Sequence, residues 1–218
     1  MPLKDDLLVR TIDALARTLA WLAGRVDDVD AAVQVQEQLE RIYREHLGVG
    51  GDVIRRLSSD QLVEVLSSTG DLEGDRAYVL AALLEVDAAT PGTDEPRRVS
   101  LRVRALDLYT EAGIARVGQS DLRERVRRLR AALLEYQLPN ASYARLLRYL
   151  AADDRLAEAE DLLFEWLEEA GPCADVVDTG RGFYEGLLAA ADADLERGDL
   201  PRDEVVEGQA LFERSVAS

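Results

Sequence analysis

Residues 122–133 read Leu-Arg-Glu-Arg-Val-Arg-Arg-Leu-Arg-Ala-Ala-Leu, and this stretch indicates the fold class. Its large apolar residues recur at intervals of three and four, which is the period of one face of an α-helix. They are Leu122, Val126, Leu129 and Leu133. An adjacent row on the same helix is cationic and consists of Arg123, Arg127 and Arg130. The stretch therefore predicts a helix that buries one apolar face and carries arginines beside it.

The same period recurs along the chain and predicts an all-α fold without strands. Glycine and proline separate the periodic segments, and Ser58 with Gln61 forms a capping-box pair at the start of one of them. The segment at 73–88 is apolar over so wide an arc that we expect it to be a central, buried helix. The predicted helices span residues 5–22, 29–47, 52–57, 60–66, 73–88, 97–117, 120–136, 142–152, 155–170, 183–196 and 201–216.

These segments predict stacked antiparallel helical hairpins, about ten or eleven helices in total. A hairpin at residues 1–50 is expected to precede a helical array at 51–218, and one continuous domain is the alternative. The clearest loop lies at residues 90–96, because it contains two prolines and a glycine. A looser stretch is predicted at 171–182, where a proline and three glycines interrupt the pattern.

Composition favours a folded, soluble protein, since 47% of the residues are hydrophobic and 32% are charged. The single cysteine, Cys173, excludes an internal disulfide. No apolar run is long enough for a secretory signal or a membrane span, so we expect a cytoplasmic location.

Charge is unevenly distributed along the sequence. The chain has a net charge of −17, of which residues 151–218 carry −14. Residues 97–148 hold twelve arginines and five acidic residues, which gives this segment an excess of +7. A basic belt at 97–148 therefore precedes an acidic carboxy-terminal third.

Residues 140–173 resemble a degenerate tetratricopeptide repeat, a 34-residue helix-turn-helix unit. Ala159 fits the small position of the second helix, whereas Leu147 and Trp166 stand where small residues are usual. Four further residues fall at positions that take large side chains, namely Tyr143, Leu146, Leu150 and Leu163.

A wider resemblance rests on four stretches spread over nearly the whole length. They are residues 6–10, residues 57–62 followed by 80–84, residues 157–165 (Ala-Glu-Ala-Glu-Asp-Leu-Leu-Phe-Glu), and residues 198–204 (Gly-Asp-Leu-Pro-Arg-Asp-Glu). With these stretches the chain resembles a family of uncharacterised bacterial proteins, a domain of unknown function with tetratricopeptide-like hairpins. Because that family has no assigned activity, the resemblance implies a fold and neither a substrate nor a catalytic residue.

Catalytic and metal-binding patterns are sparse. His46 is the only histidine, and neither serine nor cysteine stands near it in sequence. The glycines at 48–51 follow a helix and lack the lysine of a phosphate-binding loop, while the acidic residues at 192–196 lack a calcium-binding loop. We therefore expect no enzyme activity, no cofactor and no metal.

The basic belt offers the strongest candidate binding surface. Its candidate partner-binding residues are Arg102, Arg123, Arg127 and Arg130. Guanidinium groups on facing helices bind carboxylates or phosphates in a bidentate manner. The alternatives are that the acidic carboxy-terminal third neutralises the belt or that the arginines are ordinary solvated residues covering apolar surface with their stems.

We therefore predict a non-enzymatic protein-interaction or scaffold module whose partner is a protein or peptide, with acidic partners favoured. An RNA-binding helical repeat using the belt is the alternative, although the net charge of −17 opposes it. An enzyme of unrecognised type is the second alternative. The first predicted helix offers a candidate dimerisation stripe, which is more often core, at Leu8, Ile12, Leu15, Leu19 and Trp21. Its charges cancel, so no membrane binding is expected.

Overall fold

The computed structural model describes residues 29–68, 71–115 and 121–217. These ranges contain eleven α-helices and a minimal β-ladder, so the predicted all-α class is confirmed. The first predicted helix, at 5–22, lies outside the described residues. The helices are α1 (Val29–Leu47), α2 (Gly51–Ile54), α3 (Ser59–Leu66), α4 (Gly74–Ala89), α5 (Glu95–Ile114), α6 (Leu122–Ala132), α7 (Asn140–Ala152), α8 (Leu156–Ala170), α9 (Ala174–Ala189), α10 (Asp192–Arg197) and α11 (Arg202–Val216).

The ladder pairs β1 (Ser67–Ser68) with β2 (Asp71–Leu72) in antiparallel fashion, with Ser67 opposite Leu72. The sequence predicted a turn here and no strand. Each strand has only two residues, so the ladder does no more than join α3 to α4.

Two compact units divide the chain between Tyr136 and Gln137. The first, residues 1–136, carries 19 basic and 24 acidic residues, and the second, residues 137–218, carries 7 and 19. The predicted loop at 90–96 lies within the first unit, between α4 and α5, which pack closely together. The predicted hairpin at 1–50 includes residues outside the described ranges, so that division stays a prediction.

The centre of the first unit is α4. Every residue from Ala77 to Leu84 is buried, which confirms the predicted central helix. Three alanines are interspersed with large side chains along this run, so neighbouring helices approach α4 closely. Among the described helices, none combines the length and apolarity needed to cross a lipid bilayer.

Capping side chains set two helix starts in the first unit. The Ser58 hydroxyl accepts from the Gln61 amide at 3.3 Å and the Gln61 side chain accepts from the Ser58 amide at 2.9 Å, which confirms the predicted capping box. At α5, the Asp94 side chain accepts from the Arg97 amide at 2.9 Å. This cap starts the helix two residues earlier than predicted, because Pro96 is tolerated in a first turn.

In the second unit, α7 and α8 form the predicted hairpin. Trp166 is fully buried, stacks on Tyr143 at 5.6 Å between ring centroids and donates its indole N–H to Asn140 at 3.0 Å. The small position Ala159 is fully buried as well. The hairpin is therefore observed, whereas a tetratricopeptide-like stack of such hairpins stays a prediction.

The start of α9 was predicted wrongly. The sequence predicted a loose stretch through Gly182 and one helix over 183–196, but α9 runs from Ala174 to Ala189 and α10 is separate. Gly180 lies inside α9, where it makes a packing contact and does not end the helix. A Cβ atom at this position would lie 2.2 Å from Cζ of Phe212 on α11. Glycine there permits α9 and α11 to approach each other closely.

The turn after α10 caps the start of α8. The Gly198 carbonyl accepts from the amides of Leu156 at 3.0 Å and Ala157 at 3.1 Å. Leu156 packs so tightly that a Cβ atom on Gly198 would lie 2.4 Å from its Cγ. Gly198 and Leu156, which are 42 positions apart, thus meet where α8 has amides without partners inside the helix.

Candidate functional site

The arginines of α6 fall into two groups with different surroundings. Leu122, Val126 and Leu129 are buried, and α6 packs on α5 through this face. Arg125 and Arg128 both reach Glu85 on α4. The predicted row, by contrast, lies on the outer side of α6: Arg123 and Arg127 are exposed and Arg130 is half-buried.

Arg125 lies at the centre of an inner clamp, which comprises Arg125, Glu85, Asp121, Tyr78 and Tyr109. Its guanidinium donates to Glu85 at 3.0 Å and to Asp121 at 2.6 Å. The same group lies 5.6 Å from the ring centroid of Tyr78 and 5.7 Å from that of Tyr109. Ion pairs and cation–π contacts together hold α6 against α4 and α5.

Both tyrosines of the inner clamp are hydrogen-bond donors. Tyr109 donates to Glu85 at 2.7 Å, and Tyr78 donates to Asp121 at 2.6 Å. Burial raises the pKa of Tyr109 and that of Tyr78. Burial opposes the charge of Arg125, but Tyr109 and Asp121 outweigh it and the pKa of Arg125 is raised. These three groups stay protonated at neutral pH, so the inner clamp is suited to anchoring α6 rather than to proton transfer.

The outer surface of α6 carries an outer strip, which comprises Arg123, Arg127, Arg130 and Leu134. Arg123, Arg127 and Arg130 are four and three residues apart, so they follow one line along the helix. Leu134 stands in the turn just after α6 and is 69% exposed, the highest exposure among the large hydrophobic residues that the structure describes. At a rise of ~1.5 Å per residue the arginine row from Arg123 to Arg130 is about 10 Å long.

Arg127 has a local partner, Glu124, whose Oε2 accepts from the guanidinium at 2.6 Å. Both side chains are more than half exposed, and exposed pairs of this kind contribute little to stability. A carboxylate from another molecule therefore competes with Glu124 at little cost.

Arg102 lies on the neighbouring helix, α5. It is half-buried and close to Glu95, whose pKa is lowered first by a hydrogen bond from Tyr136 and then by Arg98 and Arg102. The Tyr136 hydroxyl donates to Glu95 at 2.7 Å. Of the four predicted partner-binding residues, the structure thus brings three onto one helix face and places Arg102 beside the start of α5.

Several other arginines of the basic belt have internal roles. Arg104 is buried and donates to the carbonyl oxygens of Ile54, Arg55 and Leu57 at 2.8–3.3 Å, which caps the end of α2. Arg97 pairs with Asp87 at 3.5 Å, and Arg98 pairs with Glu95. The carboxylates that pair with Arg97, Arg98, Arg125, Arg127 and Arg128 of the belt lie at positions 85–124.

A buried polar network in the first unit was missed by the sequence analysis. Asp87 is fully buried and accepts from Arg55 at 2.6 Å and from Gln36 at 3.3 Å. Arg55 also donates to Glu40 at 3.0 Å. The sequence did contain one signal for this network: Asp87 is a carboxylate inside the most apolar helix, and a buried charge requires partners.

Tyr43 lies next to this network and is also fully buried. Its hydroxyl has no hydrogen-bond partner in the part of the chain that the structure describes. Burial, followed by the charge of Asp87, raises the pKa of Tyr43. Since neither Asp87 nor Tyr43 is accessible, the network is suited to holding α1, α2 and α4 together.

The remaining sequence candidates have ordinary surroundings. No three His, Cys, Asp or Glu side chains of the described residues lie close enough to hold a metal ion. Asp192 pairs with Arg202 and Asp194 with Arg197. The described residues that line a groove of about 590 Å³ are charged and polar side chains of α1.

The glycines at 48–51 form a turn, in which the Gly51 amide donates to Glu40 at 3.1 Å. Cys173 is half-buried at the start of α9. The side chain of His46 and the predicted dimerisation stripe, Leu8, Ile12, Leu15, Leu19 and Trp21, lie outside the described part of the chain.

Comparison with known proteins gives one match. The model of a family of unknown function, DUF6483, matches residues 2–214. No curated protein and no solved structure matches the chain.

Proposed function

We propose, for a chain that belongs to the DUF6483 family of unknown function, a non-enzymatic role as a protein-interaction module that binds its partner through the outer strip. The observation that carries this proposal is the division of the α6 arginines. Arg125 is largely buried beside Glu85 and fixes the helix from inside, whereas Arg123 and Arg127 are exposed.

The position of α6 supports the proposal. Among the described helices its principal packing partner is α5, and Arg123 and Arg127 on its outer side are exposed. A rigid helix that presents side chains at fixed spacing is a better binding surface than a loop, because little conformational entropy is lost on binding. The tetratricopeptide-like pattern at residues 140–173 fits a hairpin array, a common peptide-binding scaffold, and we place this module in the cytoplasm.

RNA binding is less well supported than protein binding. Arg97, Arg98 and Arg104 interact with carboxylates or carbonyl groups of the chain itself, so they are less able to contact phosphates. The net charge of −17 also opposes association with a polyanion.

The test is affinity purification from the source cell with a charge-reversed outer strip, in which Arg123, Arg127 and Arg130 are each changed to Glu. The matched control changes Arg41, Arg44 and Arg56 each to Glu. These arginines are exposed elsewhere in the first unit, and their substitution changes the net charge by the same amount. We expect partners to be lost with the outer-strip variant and kept with the control, with unchanged helical circular dichroism for both.

Identical sets of partners from wild type and outer-strip variant would exclude the outer strip as the binding surface. Partners that disappear after nuclease treatment of the wild-type sample would favour the RNA alternative instead.

A further inference from the structure

The spacing of residues in the outer strip favours one shape of acidic partner over others. Its three arginines follow one line on α6 at intervals of four and three residues, and Leu134 comes four residues later, in the turn after the helix. A ligand that contacts all four members must run along α6. Another α-helix repeats these intervals by its own period, and the order four, three, four is the same in both directions.

We infer that the partner segment is an acidic amphipathic α-helix that lies along α6, an inference that rests on the proposed function. Its carboxylates occupy one face at intervals of four and three and pair with Arg123, Arg127 and Arg130. An apolar residue four positions further, on the same face, packs on Leu134.

Charge complementarity favours this occupant. Carboxylates pair with guanidinium groups. Arg127 already donates from Nε and Nη2 to one carboxylate oxygen, Oε2 of Glu124, in an exposed position. The arginine stems add apolar surface between the charged ends, so an amphipathic helix also buries methylene groups here.

Leu134 distinguishes an amphipathic helical partner from a partner that is only anionic. An extended hydrophilic polyanion gains nothing specific from one exposed leucine at the end of an arginine row. A partner helix with an apolar residue opposite Leu134 removes the Leu134 side chain, which is 69% exposed, from water. The inference therefore requires that Leu134 contributes to affinity.

The experiment measures binding of the full chain to labelled 18-residue helical peptides by fluorescence anisotropy. The in-register peptides have Glu at positions 4, 8 and 11 with Leu at 15, or Leu at 4 with Glu at 8, 11 and 15. The control peptide has the same composition with the three glutamates distributed around the helix.

We expect one in-register peptide to bind about tenfold more tightly than the control peptide, since three ion pairs at the surface of α6 each contribute a fraction of a kcal/mol. Leu134→Ala should weaken binding roughly threefold or more and leave the salt dependence unchanged. The charge-reversed outer strip should abolish binding.

Equal affinity for in-register and control peptides would overturn the inference, as would an unchanged affinity of Leu134→Ala. If no peptide binds while the cellular partners still require the outer strip, the inference is wrong and the proposed function stands. If the cellular partners do not require the outer strip, the proposed function itself fails.

Discussion

Arg125 and Arg127 are two positions apart on α6 and have opposite surroundings. Arg125 is 17% exposed among two tyrosines and two carboxylates, whereas Arg127 is 73% exposed. The helical period predicted that Arg123, Arg127 and Arg130 share a face, and the structure agrees. It did not predict the role of Arg125, because that role depends on Glu85 and Tyr78, which are 40 and 47 positions earlier in the chain.

Tyr109 and Tyr43 give contrasting predictions of how one hydroxyl group affects the free energy of unfolding. Tyr109→Phe removes the donor to Glu85 and should lower the free energy of unfolding by about 1.5–3 kcal/mol, the range for hydrogen bonds to charged groups. Tyr43→Phe removes a hydroxyl without a partner in the described residues, so it should leave the stability unchanged or raise it. Urea denaturation of both variants gives the comparison.

Equal destabilisation by the two substitutions would mean that the Tyr43 hydroxyl also has a stabilising interaction. Circular dichroism before denaturation serves as the control that both variants keep the native helix content.

At the scale of an element, α9 predicts opposite effects for two glycines. Gly180→Ala introduces a Cβ atom 2.2 Å from the buried Phe212 ring and should lower the free energy of unfolding by roughly 1–3 kcal/mol. Gly182→Ala, two positions later in the same helix, meets nothing within 4 Å and should raise it by about 0.5–1 kcal/mol. Thermal unfolding of both variants tests the pair, and two effects of the same sign would contradict the close approach of α9 and α11.

The junction of α8, α9 and α11 predicts a pH dependence. Glu160 is half-buried: burial raises its pKa, the hydroxyl of Tyr184 opposes this by donating at 2.8 Å, and the nearby Asp161 and Glu204 raise it further. A raised pKa means that the folded state binds the proton more tightly, so ionised Glu160 destabilises the fold at neutral pH. Glu160→Gln should therefore raise the melting temperature at pH 7.5, and its advantage should shrink as the pH falls through the raised pKa.

Glu168→Gln is the control for the overall loss of one negative charge, since Glu168 is exposed on the same helix. A gain for Glu160→Gln that equals the control at every pH would show that burial of Glu160 has no effect.

Helix boundaries show why some elements were predictable and others were not. The bounds of α1 match the prediction because both the apolar stripe and the glycines that end it are local features. The start of α9 was missed because Gly180 and Gly182 resemble a loop, while the ring that explains Gly180 belongs to α11. Local signals thus predicted where helices begin and end. The glycines at contacts between helices could be recognised only in the structure.

At the scale of the whole molecule, composition predicted the fold class and one family matches nearly the full length. The buried network at Asp87 was not predicted, because its members come from four separate helices or turns and no sequence interval connects them. The charge distribution was predicted, and it divides unequally between the two units, with the second carrying 7 basic and 19 acidic residues. A basic strip on the less acidic unit is what the proposed function uses.

The carbonyl of Gly198 has a consequence for how the second unit comes apart. In a simple helical array each hairpin touches only its neighbours, so the final helices fray first and leave the earlier ones intact. Here the amides of Leu156 and Ala157 depend on an oxygen near the far end of the chain. Loss of α10 and α11 would uncover the first turn of α8, so the unit should melt cooperatively rather than unzip from its end.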